Sequence, residues 1–160
     1  MSKLFQPIIQ VSHAEWKDHH LLHDIDLKCF SDVWPKTYWL YWFDQTTVVF
    51  MAKLAKNTVG FAACAMMEDG IVIEKLGVKP DFRRLGVSRS LIGAVFHQAQ
   101  TRVPPVSIHM AVPEPWLYPG PNCIADWVPK VGFKANTPFL PKYFHIDGED
   151  IDGVRCEYKE

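Results

Sequence analysis

The chain has 160 residues, of which 48% are hydrophobic, so we expect residues 1–160 to form one folded domain rather than a disordered segment. A formal net charge of −1, without a run of lysine or arginine, argues against nucleic-acid binding. The cysteines are widely spaced and form no CxxC pair, which argues against a zinc site and favours reduced thiols in a cytoplasmic protein. MSKLFQPIIQ lacks the apolar core of a signal peptide, and no segment reaches the roughly 18–20 apolar residues that cross a bilayer, so we expect no membrane association.

The first half of the chain is predicted to contain a strand, two helices and three further strands. The motif Ser12 to Glu15 has the form of a capping box and predicts a helix from about His13, with Trp16 and Ile25 facing inward. β-Branched and apolar runs separated by turn residues predict the later strands. The predicted ranges are strand 8–11, helix 13–29, helix 35–43, and strands 46–54, 58–67 and 71–78.

The second half is predicted to alternate helix and strand and to end in a hairpin. Apolar residues at helical spacing predict a central helix from Gly86 to Gln100 with one core face. A proline-rich loop, Pro113 to Pro121, precedes a short helix that ends near Gly132. The remaining predicted strands are 106–112, 141–146 and 154–159, with a turn over 147–153.

The stretch from Ile71 to Gln100 predicts an anion site. A buried strand is followed by Pro80 and by a helix that begins at Gly86, directly after Arg83 and Arg84. The first turn of a helix has N–H groups without intrahelical partners, and the helix dipole places partial positive charge there. The arginines add donors suited to phosphate oxygens. The spacing matches neither a kinase-type phosphate loop nor a dinucleotide fingerprint.

The same residues resemble the acetyl-CoA signature of the GNAT superfamily of N-acetyltransferases. That signature is an apolar strand ending in V-x-P-x-[FY]-R, followed by [QR]-x-x-G-x-[GA] at the helix start. Serine replaces the usual glycine or alanine at the last position. The matching residues are Val78, Pro80, Phe82, Arg83, Gly86 and, with that departure, Ser88.

The resemblance implies an α/β fold with a mixed, twisted sheet of about seven strands and about four helices. The sheet splays between its fourth and fifth strands, and acetyl-CoA binds in the gap. The pantetheine arm would pair with backbone groups of the fourth strand, and the pyrophosphate would bind the turn before the central helix. The implied cofactor-binding residues are Leu76, Gly77, Val78, Arg83, Arg84, Leu85, Gly86, Val87 and Ser88.

Two further segments are similar to the family. Residues 24–30 followed by Trp34-Pro35 resemble the first-helix segment of the ribosomal-protein N-terminal acetyltransferase group. The sequence Asn122-x-x-Ala125 with Gly132-Phe133 resembles the late N-x-x-A…G-F segment, which implies that Asn122 contacts the pantetheine arm. Many members carry a tyrosine four residues before that glycine, where it acts as the acid toward the leaving thiolate. This chain has Val128 there, so the tyrosine role does not transfer.

Two residues on predicted strands are candidate general bases. Glu74 lies two residues before Leu76, hence on the same face of an otherwise apolar strand, where burial would raise its pKa. The alternative is a salt bridge with Lys75, Arg102 or a neighbouring strand. His109 lies mid-strand, beside the position of the catalytic glutamate in the resembling group. The alternative is a hydrogen-bonded histidine on the outer face.

Tyrosines and tryptophans are the remaining candidates. Tyr118, in the proline-rich loop, is a candidate acid toward the leaving thiolate, and the alternative is packing of a stiff loop. Tyr143 is a second candidate, near the acceptor site of the resembling group. The second-helix region is rich in aromatic residues. They either form one wall of the acceptor site or pack a short helix onto the sheet. If they form the wall, a very polar acceptor such as a polyamine is disfavoured. They are Trp34, Tyr38, Trp39, Tyr41, Trp42 and Phe43.

The resemblance implies transfer of an acetyl group from acetyl-CoA to a primary amine, by direct attack in a ternary complex. The acceptor is a protein N-terminus, a lysine or a small amine. The alternative is a CoA-binding module of this fold without catalysis, which Val72, Ser88 and Val128 favour. No metal is expected, and the protein is expected to be a monomer or a homodimer.

Overall fold

A computed structural model describes residues 8–118, 124 and 126–158, with the backbone alone for residues 136–139. The described residues form one mixed sheet of seven strands in the order β1-β2-β3-β4-β5-β7-β6, flanked by four helices. The elements are β1 Ile9–His13, α1 His19–Cys29, α2 Lys36–Tyr41, β2 Thr47–Leu54, β3 Asn57–Met66, β4 Gly70–Val78, α3 Val87–Gln100, β5 Ser107–Pro113, α4 Trp127–Lys130, β6 Phe133–Ile146 and β7 Glu149–Tyr158. This architecture confirms the predicted α/β fold and its element order.

The start of α1 differs from the prediction. Strand β1 continues to His13, which pairs with Phe50, so Ser12 is a strand residue and not a helix cap. Glu15 opens a short 3₁₀ turn instead, and its N–H donates to the Asp18 carboxylate at 2.9 Å. The helix itself begins at His19. Trp16, predicted to face inward, is therefore 66% exposed.

The C-terminal hairpin is longer than predicted. β6 begins at Phe133, β7 begins at Glu149, and the tight turn is Asp147-Gly148, with both residues at positive φ. An Asp-Gly pair is a strong signal for a two-residue hairpin turn. The alternation of apolar and polar residues does not mark where these two strands begin, because two irregularities interrupt the register between β6 and β7.

Each face of the sheet carries a hydrophobic core. On one face, α3 packs Leu91 and Val95 against buried side chains of the central strands. On the other face, α1 contributes Leu22 and Ile25, and α2 contributes Trp39. Because both faces are covered, the central strands are apolar throughout rather than alternating.

Strands β4 and β5 separate after a short paired segment. Their parallel pairing covers only residues 70–73 of β4 and 107–110 of β5. At this point the β3–β4 register passes from Ile73–Cys64 to Lys75–Ala63, so Glu74 is the extra residue of a β-bulge. The bulge changes the alternation of β4: Ile73 and Leu76 both contact the α3-side core, although they are three residues apart.

A buried ion pair joins α1 to β4. Asp26 and Lys75 side chains are 0% and 6% exposed, and their charged atoms lie 2.7 Å apart. The same carboxylate accepts the Trp34 backbone N–H at 2.9 Å, and the Lys75 ammonium donates to the Asp32 carbonyl at 2.7 Å. The lysine also lies 4.7 Å from the centroid of the Phe30 ring. These contacts hold the segment between α1 and α2 against β4.

We expect Lys75→Met to lower the free energy of unfolding by about 3–5 kcal/mol, because Asp26 would remain as a buried charge without its cation. Lys28→Met is the matched control. It removes a helix-surface pair with Asp24 that is about half exposed, and should cost less than about 1 kcal/mol. Denaturant unfolding of the two variants measures both values. An equal, small loss in both would contradict the structural role of the buried pair.

Candidate active site

A cleft of about 1430 Å³ opens where β4 and β5 diverge. At one end it is lined by the turn before α3, and at the other by the α1–α2 segment and the β6–β7 hairpin. Basic side chains line it beside α3, and aromatic side chains line it from the α1–α2 region and the hairpin. The basic residues beside α3 are Arg83, Arg84, Arg89 and Lys130; the aromatic residues from the other elements include Phe30, Trp34, Tyr38, Trp42, Tyr143 and Phe144.

The turn before α3 has the backbone geometry of an anion site. Gly86 precedes the helix in the left-handed region, with φ of +88°, and Arg84 has φ of +63°. The first turn of α3 therefore directs N–H groups of Val87 and Ser88 toward the cleft that both residues line. The Arg83 Nε donates to the Val78 carbonyl at 3.0 Å, which orients the guanidinium beside this turn.

The position of this turn is defined by close packing on the sheet. A Cβ added to Gly60 would lie 3.0 Å from the Val87 Cγ1 atom and 3.0 Å from the Gly77 carbonyl oxygen. A Cβ added to Gly77 would lie 3.0 Å from the rings of Phe30 and Phe61. The two glycines therefore allow α3, β3 and β4 to approach closely beside the cleft.

The predicted cofactor-binding residues fall into three groups. Leu85 is exposed and is not one of the described residues lining the cleft. Asn122 lies outside the described residues. The other eight line the cleft together: Leu76, Gly77, Val78, Arg83, Arg84, Gly86, Val87 and Ser88.

Glu74 lies in the cleft and contacts Tyr143 of β6. The phenol oxygen is 2.5 and 2.6 Å from the two carboxylate oxygens, so the hydroxyl donates to the carboxylate. Burial raises the pKa of Glu74, while the Tyr143 hydrogen bond and the charge of Arg155 oppose that rise. Burial and the bond to Glu74 both raise the pKa of Tyr143, which keeps the phenol protonated.

Two of the ion-pair alternatives for Glu74 are absent from the described structure: Lys75 pairs with Asp26, and Arg102 donates to the Met67 carbonyl at 2.7 Å. The third alternative, a residue of a neighbouring strand, is represented by Arg155 of β7, whose charge acts on Glu74. The bulge shifts the alternation of β4 by one residue, so that Lys75 lies on the α1 side of the sheet. Sequence reasoning did not find the Asp26–Lys75 pair, because its partners are far apart in the chain and no local pattern marks them.

His109 and Tyr118 are not among the described residues that line the cleft. His109 is on the part of β5 that still pairs with β4, opposite Val72, and its neighbours Ile108 and Met110 face the α3-side core. Tyr118 is exposed and follows a 3₁₀ turn, whereas Trp116 of that turn lines the cleft. Tyr143 is the tyrosine that the described fold brings to Glu74.

Val128 occupies the position where many relatives carry a tyrosine. It is buried in the α3-side core from the short helix α4. Within the described ranges, no three His, Cys, Asp or Glu side chains are grouped to hold a metal ion. Among the same residues, no helix is long and apolar enough to cross a membrane.

The family model described as Acetyltransferase (GNAT) family matches residues 19–110, which is more than half of the 160 residues. The chain therefore belongs to the GNAT family of acetyltransferases, and we describe it as an acyltransferase enzyme of a family that uses acetyl-CoA. A comparison with curated protein sequences gives no match.

Solved structures show the same fold at low sequence identity. The ribosomal-protein-S18-alanine N-acetyltransferase from Escherichia coli has a TM-score of 0.76 at 16% identity, covering 94% of this chain and 93% of its own. NAA60 from Arabidopsis thaliana, in complex with a bisubstrate analogue, has a TM-score of 0.73 at 16% identity, covering 94% and 98%. A mutant form of spermidine N-acetyltransferase SpeG from Vibrio cholerae has a TM-score of 0.69 at 18% identity, covering 93% and 92%.

We expect Tyr143→Phe to raise the pKa of Glu74 further, because the hydrogen bond that it removes stabilises the charged carboxylate. Glu74 would then stay protonated to a higher pH. Carbon-13 NMR titration of labelled glutamate carboxyl groups, assigned with Glu74→Gln, measures the change. Tyr118→Phe, at an exposed tyrosine outside the cleft, is the control and should leave the midpoint unchanged. A lower or unchanged midpoint in Tyr143→Phe would refute this account of the pair.

Proposed function

We propose that the protein transfers an acetyl group from acetyl-CoA to a primary amine, with Glu74 as the general base. The observation that carries this proposal is the position of Glu74 at the β4 bulge, in the same cleft as the anion-binding turn. A half-buried carboxylate with a raised pKa accepts a proton more readily than an ordinary glutamate near neutral pH. Family membership supplies the acetyl donor.

The donor binds at the α3 end of the cleft. The pyrophosphate accepts hydrogen bonds from the N–H groups at the start of α3, next to Arg83 and Arg84. The pantetheine arm lies along β4 at residues 76–78, on the edge of the strand from which β5 has diverged. This arrangement directs the thioester toward Glu74, which lies two residues before that segment.

The reaction is a direct transfer. Glu74 accepts a proton from the ammonium, either directly or through a water molecule, and the neutral amine attacks the thioester carbonyl. The new N–C bond forms as the C–S bond breaks. Tyr143 is the proposed proton donor to the departing thiolate, because Glu74 loses its charge when it takes the first amine proton, and that charge is one cause of the raised pKa of Tyr143. The second proton of the attacking nitrogen then restores the phenol, and Glu74 returns its proton to solvent.

We expect Ser88→Asp to weaken CoA binding by about tenfold or more, because the new carboxylate would stand where the pyrophosphate binds. Ser90→Asp is the matched control, because Ser90 lies two residues after Ser88 in α3 and is not among the described residues that line the cleft. Calorimetric titration with CoA measures both dissociation constants. Equal values for the two variants would argue against pyrophosphate binding at this turn.

Thiol release from acetyl-CoA in the presence of mixed primary amines tests the catalytic proposal. We expect Glu74→Gln to reduce the rate by about 10²–10⁴-fold while CoA binding is retained. His109→Gln, outside the cleft, should keep the wild-type rate. Full activity of Glu74→Gln would disprove its role as base. CoA binding without thiol release for any amine would favour the CoA-binding module instead.

A further inference from the structure

Two partly exposed tyrosine rings line the acceptor end of the cleft. Tyr38 of α2 is 44% exposed and packs edge-on against Trp34, with ring centroids 5.0 Å apart. Trp34 in turn stacks on Trp42 at 4.8 Å. Tyr143 of β6 is 41% exposed and packs against Phe144 at 5.1 Å. Each accessible ring is therefore held by other rings behind it, so little side-chain entropy is lost when a ligand binds.

The two tyrosines line one cleft from different elements. Tyr38 comes from α2 and Tyr143 from β6. Asp32 of the α1–α2 segment and Asp147 of the hairpin turn line the same cleft. The α1–α2 segment and the hairpin therefore both border it, and we call the space beside Tyr38 and Tyr143 the slot.

The charges around this slot suit one ammonium group rather than several. Lys75 offsets the charge of Asp32 and also pairs with Asp26. Arg155 and the Tyr143 hydroxyl both act on Glu74. Asp32 and Glu74 thus already have cationic or donor neighbours within the fold, and Asp147 of the hairpin turn is the third carboxylate among the described residues that line the cleft.

We propose that the acceptor is a primary amine with an aromatic or bulky apolar group close to its nitrogen. The ammonium meets Glu74, and the apolar group fills the slot between Tyr38 and Tyr143, so Tyr38 determines specificity. This inference rests on the proposed acetyl transfer. Contacts between aromatic rings in such a slot add to the free energy that is gained by burying apolar surface. Met66 and Met67 also line the cleft, and their flexible apolar side chains adapt to the shape of a ligand.

A free arylalkylamine and a peptide with an aromatic first residue both present a primary amine with an aromatic group close to its nitrogen. The test compares kcat/KM within two matched pairs, 2-phenylethylamine against ethylamine and Phe-Gly-Gly against Gly-Gly-Gly, with spermidine as a polycationic probe. We expect the aromatic member to be favoured by about tenfold or more in at least one pair, and spermidine to be a poor substrate. The pair with the larger preference identifies the source of the acceptor. Turnover without an aromatic preference, or a preference for spermidine, would overturn the inference and leave the acetyl transfer intact.

Tyr38→Ala tests the slot directly. We expect it to raise KM for the preferred aromatic acceptor about five- to tenfold, with little change in kcat. Leu40→Ala is the matched control, because Leu40 is on the same helix and 45% exposed but does not line the cleft. Equal KM values for the two variants would contradict the assignment.

Equilibrium binding separates failure of this inference from failure of the proposed function. Calorimetry with 2-phenylethylamine and with Phe-Gly-Gly, on protein saturated with CoA, measures acceptor binding without turnover. If the protein binds these probes, Tyr38→Ala weakens that binding and no thiol is released, the result would support the slot and refute the acetyl transfer. Neither binding nor turnover with these probes would refute both.

Discussion

The buried ion pair between Asp26 and Lys75 is the interaction on which the site depends. Removing two charges from water is costly, and further hydrogen bonds to both partners offset part of that cost here. Asp26 accepts from the Trp34 N–H and from the Trp39 indole, and Lys75 donates to the Asp32 carbonyl. The pair therefore connects the first helix, the aromatic segment and the strand that carries Glu74.

The second determinant is the divergence of β4 from β5. The two strands pair only over residues 70–73 and 107–110, and the bulge at Glu74 begins where that pairing ends. The bulge shifts the alternation so that Lys75 faces α1, while Glu74 contacts Tyr143. At this irregularity, two consecutive residues of the strand therefore have different roles: Lys75 is a structural cation and Glu74 is the proposed catalytic carboxylate. The arginines before α3 and the rings of the α1–α2 segment then give the two ends of the cleft different chemistry.

Sequence reasoning predicted the features that depend on local chemistry. The strand–turn–helix unit around Gly86 was predictable because a glycine at positive φ, a helix N-terminus and adjacent arginines are neighbours in the chain. The environment of Glu74 was not, because strict alternation along β4 fails at the bulge and no residue pattern marks it. The start of α1 was predicted too early because the same Ser12 that suits a helix cap also suits a strand. Tyr118 was ranked before Tyr143, because only the long-range pairing of β6 and β7 decides which ring reaches Glu74.

The proposed base and the proposed donor-binding backbone share a single strand, which links acyl-chain selectivity to acceptor size. Glu74 and residues 76–78 lie on β4, where each residue advances about 3.3 Å, so the proposed base and the proposed donor backbone are separated by about 7–13 Å. An acyl group longer than acetyl extends from the thioester into the volume that the acceptor amine would occupy. Donor length and acceptor bulk therefore compete for the same space, and a change that enlarges one of them reduces the room for the other.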